Sequence, residues 1–222
     1  MERVSQRRAG TILRFIYPAW VVFGIFGIMY VPSVLVVADN AAKTASNLQA
    51  NEFFFRVGIA ANLVTQLLFI FAAFYLYILL SPVKKDWALL MLILALVAVP
   101  IAMLNEINNI AALAYAQSPQ QMSFFLDLHT QGVTIASIFW GLWLFPLGLL
   151  VTESGYFPKI IGWAVLAAAV GYTADSFLKL LVPGFVTLSP VLQIMTFGEV
   201  VFLIWLVVRG PRLPRNGVPA GP

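Results

Sequence analysis

The chain has no cysteine, a single histidine, and charged side chains at only 10% of its 222 residues. The missing cysteine excludes disulfides, thiol catalysis and Cys-ligated metals, and it leaves the redox compartment unmarked. One histidine, His129, excludes a bis-histidine haem within one chain. No serine sits in a nucleophile-elbow motif, and no glycine-rich loop is built to cradle phosphate. The scarcity of charge excludes a soluble domain of this length, which would need far more polar surface to stay dispersed. What fills the chain is apolar: 61% of residues are hydrophobic and the mean hydropathy is +0.93.

A bilayer core of about 30 Å takes roughly 20 apolar residues at 1.5 Å rise each. Six stretches meet that length, over residues 14–38, 56–80, 86–104, 124–151, 158–182 and 190–208. They predict an all-α bundle of six transmembrane helices, a single integral domain over 1–210. A basic, Pro/Gly-rich tail over 211–222 is expected to be disordered. The first stretch follows a basic run, as a secretory signal would. Its apolar core is too long for a signal, so it is expected to be a retained helix.

Basic residues set the expected orientation. Arg3, Arg7, Arg8, Arg14, Lys84, Lys85, Lys159, Arg209, Arg212 and Arg215 fall on one side, ten of the 13 Lys and Arg residues. Lys43, Arg56 and Lys179 fall on the other. The positive-inside rule then predicts both termini in the cytoplasm, with the chain in the cytoplasmic (inner) membrane. The net charge of +4 reflects this topology and the anionic lipid headgroups beside it. No basic stripe is interleaved with exposed aromatics, so membrane lipids are the expected partners and nucleic acid is not. Trp20, Trp87, Tyr156, Trp163 and the run Phe53, Phe54, Phe55 fall near span ends, where aromatic rings anchor helices.

Local signals mark helix ends and bends. Ser118-Pro119-Gln120-Gln121 predicts a Ser-capped start for the fourth helix, and Ser189-Pro190 one for the sixth. Pro100 and Pro146, each lacking an amide donor, predict kinks in the third and fourth helices. Gly141 and Gly148 predict a close helix contact. The longer connections, residues 39–55 and 105–122, lie on the outer side.

Polar residues carried by the spans gather toward that side. The third helix brings Asn105 and Glu106 about 28 to 30 Å above its cytoplasmic end, and the fifth brings Asp175 about 25 Å and Lys179 about 31 Å above its own. The second brings in Asn62, Thr65 and Gln66. The sixth carries Glu199 about 14 Å in, near the midplane. The fourth carries Asp127 and His129, which helical spacing turns about 200° apart, so both cannot line one cavity. A carboxylate at mid-bilayer must be neutralised, paired or wetted.

The candidate ligand-binding residues are Glu199, Asp175, Lys179, Glu106, Asn62, Gln66, His129 and Arg56. Each also has a structural reading. Glu199 can glue helices, Asp175 and Lys179 can pair at i, i+4 and reach the interface, and Glu106 can solvate a helix end. A metal site is not expected; its weak candidates are His129, Glu106 and Asp175. No cofactor is expected.

Several of these residues also carry a resemblance. The run Gly141-Leu142-Trp143-Leu144-Phe145-Pro146-Leu147-Gly148, followed by Ser154-Gly155-Tyr156-Phe157-Pro158 and Gly162, resembles the core signature of a bacterial multi-pass family, domain of unknown function 4386. Gly171-Tyr172 with Asp175-Ser176, and Gly198-Glu199 with Trp205 and Arg209-Gly210, fit that family's fifth and sixth helices. Asp39, Thr44-Ala45, Asn47 and Phe55-Arg56 are similar to its first external loop. The resemblance implies a six-helix membrane protein and assigns no activity.

The leading expectation is therefore a non-enzymatic module with an outward-facing polar pocket, binding or moving a small polar molecule or a lipid headgroup. Glu199 and Asp175 would meet a cationic part, and Lys179 or Arg56 an anionic one. Two alternatives stay open: an intramembrane metal-assisted lipid hydrolase using His129, Glu106 and Asp175, and a structural or partner-binding membrane subunit.

Overall fold

Apolar runs this long can satisfy their backbone amides in lipid only by coiling on themselves. The structure, a computed structural model that describes residues 5–182 and 187–213, is accordingly built of helices, with no strand among the described residues. The first span, Gln6–Leu35, comprises α1 (Gln6–Gly24), a π-helical stretch (Ile25–Tyr30) and α2 (Val31–Leu35). A short helix, α3 (Ala41–Ala50), leads into α4 (Glu52–Leu80) and α5 (Lys85–Ala114). The fourth span divides into α6 (Pro119–Leu142) and α7 (Leu144–Glu153), and α8 (Lys159–Leu181) and α9 (Ser189–Val208) complete six transmembrane helices.

The breaks have identifiable causes. Pro32 has no amide to bond the Ile28 carbonyl, and its ring crowds that oxygen. The turn before it widens, with the Val31 amide donating to the Phe26 carbonyl five residues back. Pro146 likewise leaves the Leu142 carbonyl without its donor, and the fourth span is interrupted at Trp143. Pro100, unlike Pro146, does not interrupt its helix, and α5 runs from Lys85 to Ala114. That helix also runs ten residues past the end expected at 104. Asn105, Glu106 and Asn109 end the apolar run, but they turn inward and are buried. The connection expected over residues 39–55 contains α3, with Asn40 accepting from the Lys43 amide as its cap.

Two helix starts are placed as expected but capped otherwise. Ser118 precedes α6 and makes no side-chain cap bond. Ser189 is the first residue of α9, and its hydroxyl donates to Asp175 Oδ1 at 2.6 Å. Trp20 and Tyr156 also differ from the interfacial role expected of them. Trp20 stacks on Phe69, and Tyr156 is buried where its hydroxyl accepts from Gln6 Nε2 at 3.0 Å.

Both described ends of the chain lie at one end of the bundle. Gln6 Nε2 also donates to the Leu79 carbonyl at 2.8 Å, and Arg14 Nε donates to the Val207 carbonyl at 2.7 Å. The tail expected to be disordered from Pro211 remains attached through Leu213, the Arg212 amide donating to the Tyr156 carbonyl at 2.9 Å. The rest of that tail, residues 214–222, lies outside the described residues. At the opposite end α3 closes the bundle, and Gln49 Nε2 donates to the Ala116 carbonyl at 2.6 Å.

Two apolar cores result. The larger surrounds Trp143, Leu147, Phe69, Leu76 and Phe202 toward the termini. The smaller joins Leu35, Leu48, Phe55, Ala112 and Met122 beneath α3. Between the two lies a polar layer.

Candidate functional site

Two helices, α4 and α5, switch from apolar to polar as they cross that layer. On α4 the sequence runs from Ile59 in the smaller core through Asn62 and Gln66 to Phe69 in the larger. On α5 it runs from Ala112 through Asn109, Glu106 and Asn105 to Val99. The spacing of Asn105, Glu106 and Asn109 at i, i+1 and i+4 keeps all three on the inner side. His129 reaches them from α6.

Glu106 is the hub. It is only 6% exposed, and its Oε1 accepts from Asn62 Nδ2 at 3.1 Å while its Oε2 accepts from Asn109 Nδ2 at 2.9 Å. His129 Nε2 lies 3.2 Å from Oε1. Asn105 Nδ2 donates to the His129 carbonyl at 2.8 Å and ties α5 to α6. Two or three donors to one carboxylate offset much of the cost of holding it at membrane depth. Asp127 is exposed while its near neighbour His129 turns inward, the opposition that helical spacing demands.

Close packing makes the network specific. A Cβ on Gly27, in the π-helical stretch, would stand 2.1 Å from Asn62 Oδ1, so only glycine lets the Asn62 amide sit there. A Cβ on Gly132 would stand 2.0 Å from Asn105 Oδ1. Gly141 and Gly148 lie against Thr173 and Leu166 of α8, the close helix contact expected of them.

Beside this network is a cavity of about 300 Å³, lined by the first span, α4, α5 and α6. Its polar wall is Asn62, Gln66, Asn105, Glu106, Asn109 and His129. Ile28, Val31, Ile59, Leu126 and Trp140 supply much of its apolar wall. Gln66 is 6% exposed, and its buried Oε1 has no hydrogen-bond partner among the described residues. Among the described residues no lysine or arginine lines the cavity.

Of the eight candidate residues, the structure brings Glu106, Asn62, Gln66 and His129 together here and places the other four elsewhere. Asp175 is occupied twice, by Lys179 Nζ at 2.6 Å and by Ser189, which pins α9 to α8. Arg56 pairs with Glu52 at 2.8 Å on an exposed face. Glu199 lies on α9 beside the phenols of Tyr172 and Tyr17, apart from the cavity. His129 and Glu106 meet, but among the described residues no third acidic or histidine side chain completes a metal-holding group. The sequence reading missed Trp140 as a cavity wall and Gly27 and Gly132 as seats for the asparagines. A π-helical glycine has no local signature, so only Pro32 hinted at the first.

The family described as "Domain of unknown function (DUF4386)" matches residues 15–210. A relative from Archaeoglobus fulgidus, itself described as "Uncharacterized protein", is 36% identical over 141 residues, which cover 62% of this chain and 74% of the relative. No solved structure matches the chain. With nearly all of its membrane-spanning region matched, the chain belongs to the DUF4386 family.

Proposed function

We propose that this protein is a non-enzymatic binding or transport-like module of the cytoplasmic membrane, and that the cavity beside Glu106 accepts a small polar molecule or a lipid headgroup. With both termini cytoplasmic, as the basic residues argue, the cavity lies in the outer half of the bilayer. The observation that carries the reading is Gln66. If the polar layer served only to glue helices, each buried polar group should find a partner in a neighbouring helix. The hydrogen bonds that Asn62, Asn109 and His129 make to Glu106 fit that bland role; Gln66 does not, because its buried Oε1, like Asn62 Oδ1, has no partner among the described residues and belongs to a side chain that lines the cavity.

This assignment moves the expected ligand contacts. Glu106 takes the place first given to Glu199 and Asp175, since Asp175 is already bonded to Lys179 and Ser189. The same occupancy counts against the alternative of a metal-assisted hydrolase drawing on Asp175 with His129 and Glu106.

A thermal-shift screen of the purified full chain against small polar molecules and lipid headgroups tests the proposal. At least one compound is expected to raise the melting temperature of the wild type and of Glu199→Gln, and to leave Glu106→Gln unmoved. Equal responses in wild type and Glu106→Gln, or a response lost only in Glu199→Gln, would overturn it.

A further inference from the structure

The cavity's chemistry narrows what it can hold. Among the described residues that line it the one acid is Glu106, whose Oε2 accepts there only from Asn109 and retains capacity for a further donor. Gln66 Oε1 adds a second buried acceptor. With no lysine or arginine among the described residues of its walls, the cavity has nothing there to balance an anion except His129, already 3.2 Å from Glu106. Trp140 also lines the cavity, and aromatic rings attract cations. Carboxylate, amide carbonyl and indole together fit a positively charged group that also donates hydrogen bonds. A primary ammonium does both, whereas a quaternary ammonium has no N–H to offer Gln66.

The walls also indicate how such a group arrives. The first span and α6 both line the cavity, yet among the described residues they share no extended packed contact. The cavity lining there includes Ile28, Pro32 and Val36 on one side and Leu126, Thr130 and Val133 on the other. Ile28 is exposed and falls within the first membrane-spanning helix, and Val36, also exposed, follows directly after its end. Toward the membrane surface the way is closed by α3 and the core formed by Leu35, Leu48 and Met122. Apart from Thr130 these lining residues are apolar, and an opening between them would face acyl chains, where a soluble amine would be costly to deliver.

From these two observations we infer that the cavity takes the primary-ammonium headgroup of a membrane lipid, admitted sideways from the leaflet between the first span and α6. The inference rests on the cavity being a ligand site, as proposed above, and assigns that site its ligand class.

Native mass spectrometry of the detergent-purified full chain, with phosphatidylethanolamine, phosphatidylcholine and phosphatidylglycerol of matched acyl chains, tests it. Retention of phosphatidylethanolamine is expected to exceed that of phosphatidylcholine by about tenfold, the scale of one hydrogen bond to a charged group, and to fall to parity in Glu106→Gln. Because Glu106→Gln alters a buried network, a second variant guards the test. Ile28→Trp adds bulk at an exposed apolar position, so the fold is expected to survive while retention is lost. Equal retention of phosphatidylethanolamine and phosphatidylcholine would overturn the inference, as would a preference untouched by both variants. Displacement of the bound lipid by free ethanolamine at equal concentration would overturn the lipid source. Glu106-dependent retention of phosphatidylglycerol instead would sink the amine assignment and leave the cavity as a ligand site. If no probe is retained in a Glu106-dependent way and no thermal shift is found, both readings fail.

Discussion

At the scale of single residues, the site depends on side chains that are absent as much as on those present. Glu106 can be held at membrane depth because Asn62 and Asn109 each donate to it, and Asn62 can donate because Gly27 leaves room for the rest of its amide. Gly24, one turn earlier, is a matched control. A Cβ there would lie 3.6 Å from Thr65 Cγ2, an ordinary contact. Gly27→Ala is therefore expected to destabilise the protein by about 1–3 kcal/mol, the usual cost of overpacking. Gly24→Ala is expected to change stability by no more than about 1 kcal/mol, the gain in helix propensity included. Thermal melts of the two variants in one detergent check this; equal melting temperatures would mean that the Asn62 seat does not matter.

At the scale of elements, hydropathy located all six spans, because burying a backbone in lipid requires long helical runs whatever their details. It misplaced the ends where polar residues turn inward. The end expected at 104 falls where Asn105, Glu106 and Asn109 begin, and α5 continues past them because Asn105 bonds to α6, Glu106 to α4, and Asn109 to Glu106 itself. Helical spacing correctly opposed His129 to Asp127, a purely local relation. It could not tell which faces of different helices meet, so Asp175 and Glu199 were grouped with Glu106 on depth alone. The helix-start motifs at Ser118 and Ser189 fixed positions without their bonds. Ser189 spends its hydroxyl on Asp175 of α8, a contact across 14 residues that no local pattern contains. The π-helical stretch was equally illegible, since Pro32 signals a disturbance without specifying its form.

At the scale of the whole molecule, a polar layer is held between two apolar cores, with both described chain ends at the face beyond the larger one. The absence of cysteine makes its orientation directly testable. Single variants Lys43→Cys and Lys84→Cys, treated with a membrane-impermeant maleimide in intact cells, are expected to label only the first; labelling of Lys84→Cys alone would reverse the topology. The central claim is narrower, that the layer around Glu106 exists to receive a ligand. An experimental density map of the protein purified in native lipid tests it most directly. The account predicts non-protein density between the first span and α6, within hydrogen-bonding distance of Glu106 Oε2 and Gln66 Oε1. A cavity holding only water, with extra density beside Glu199 and Tyr172 instead, would contradict it.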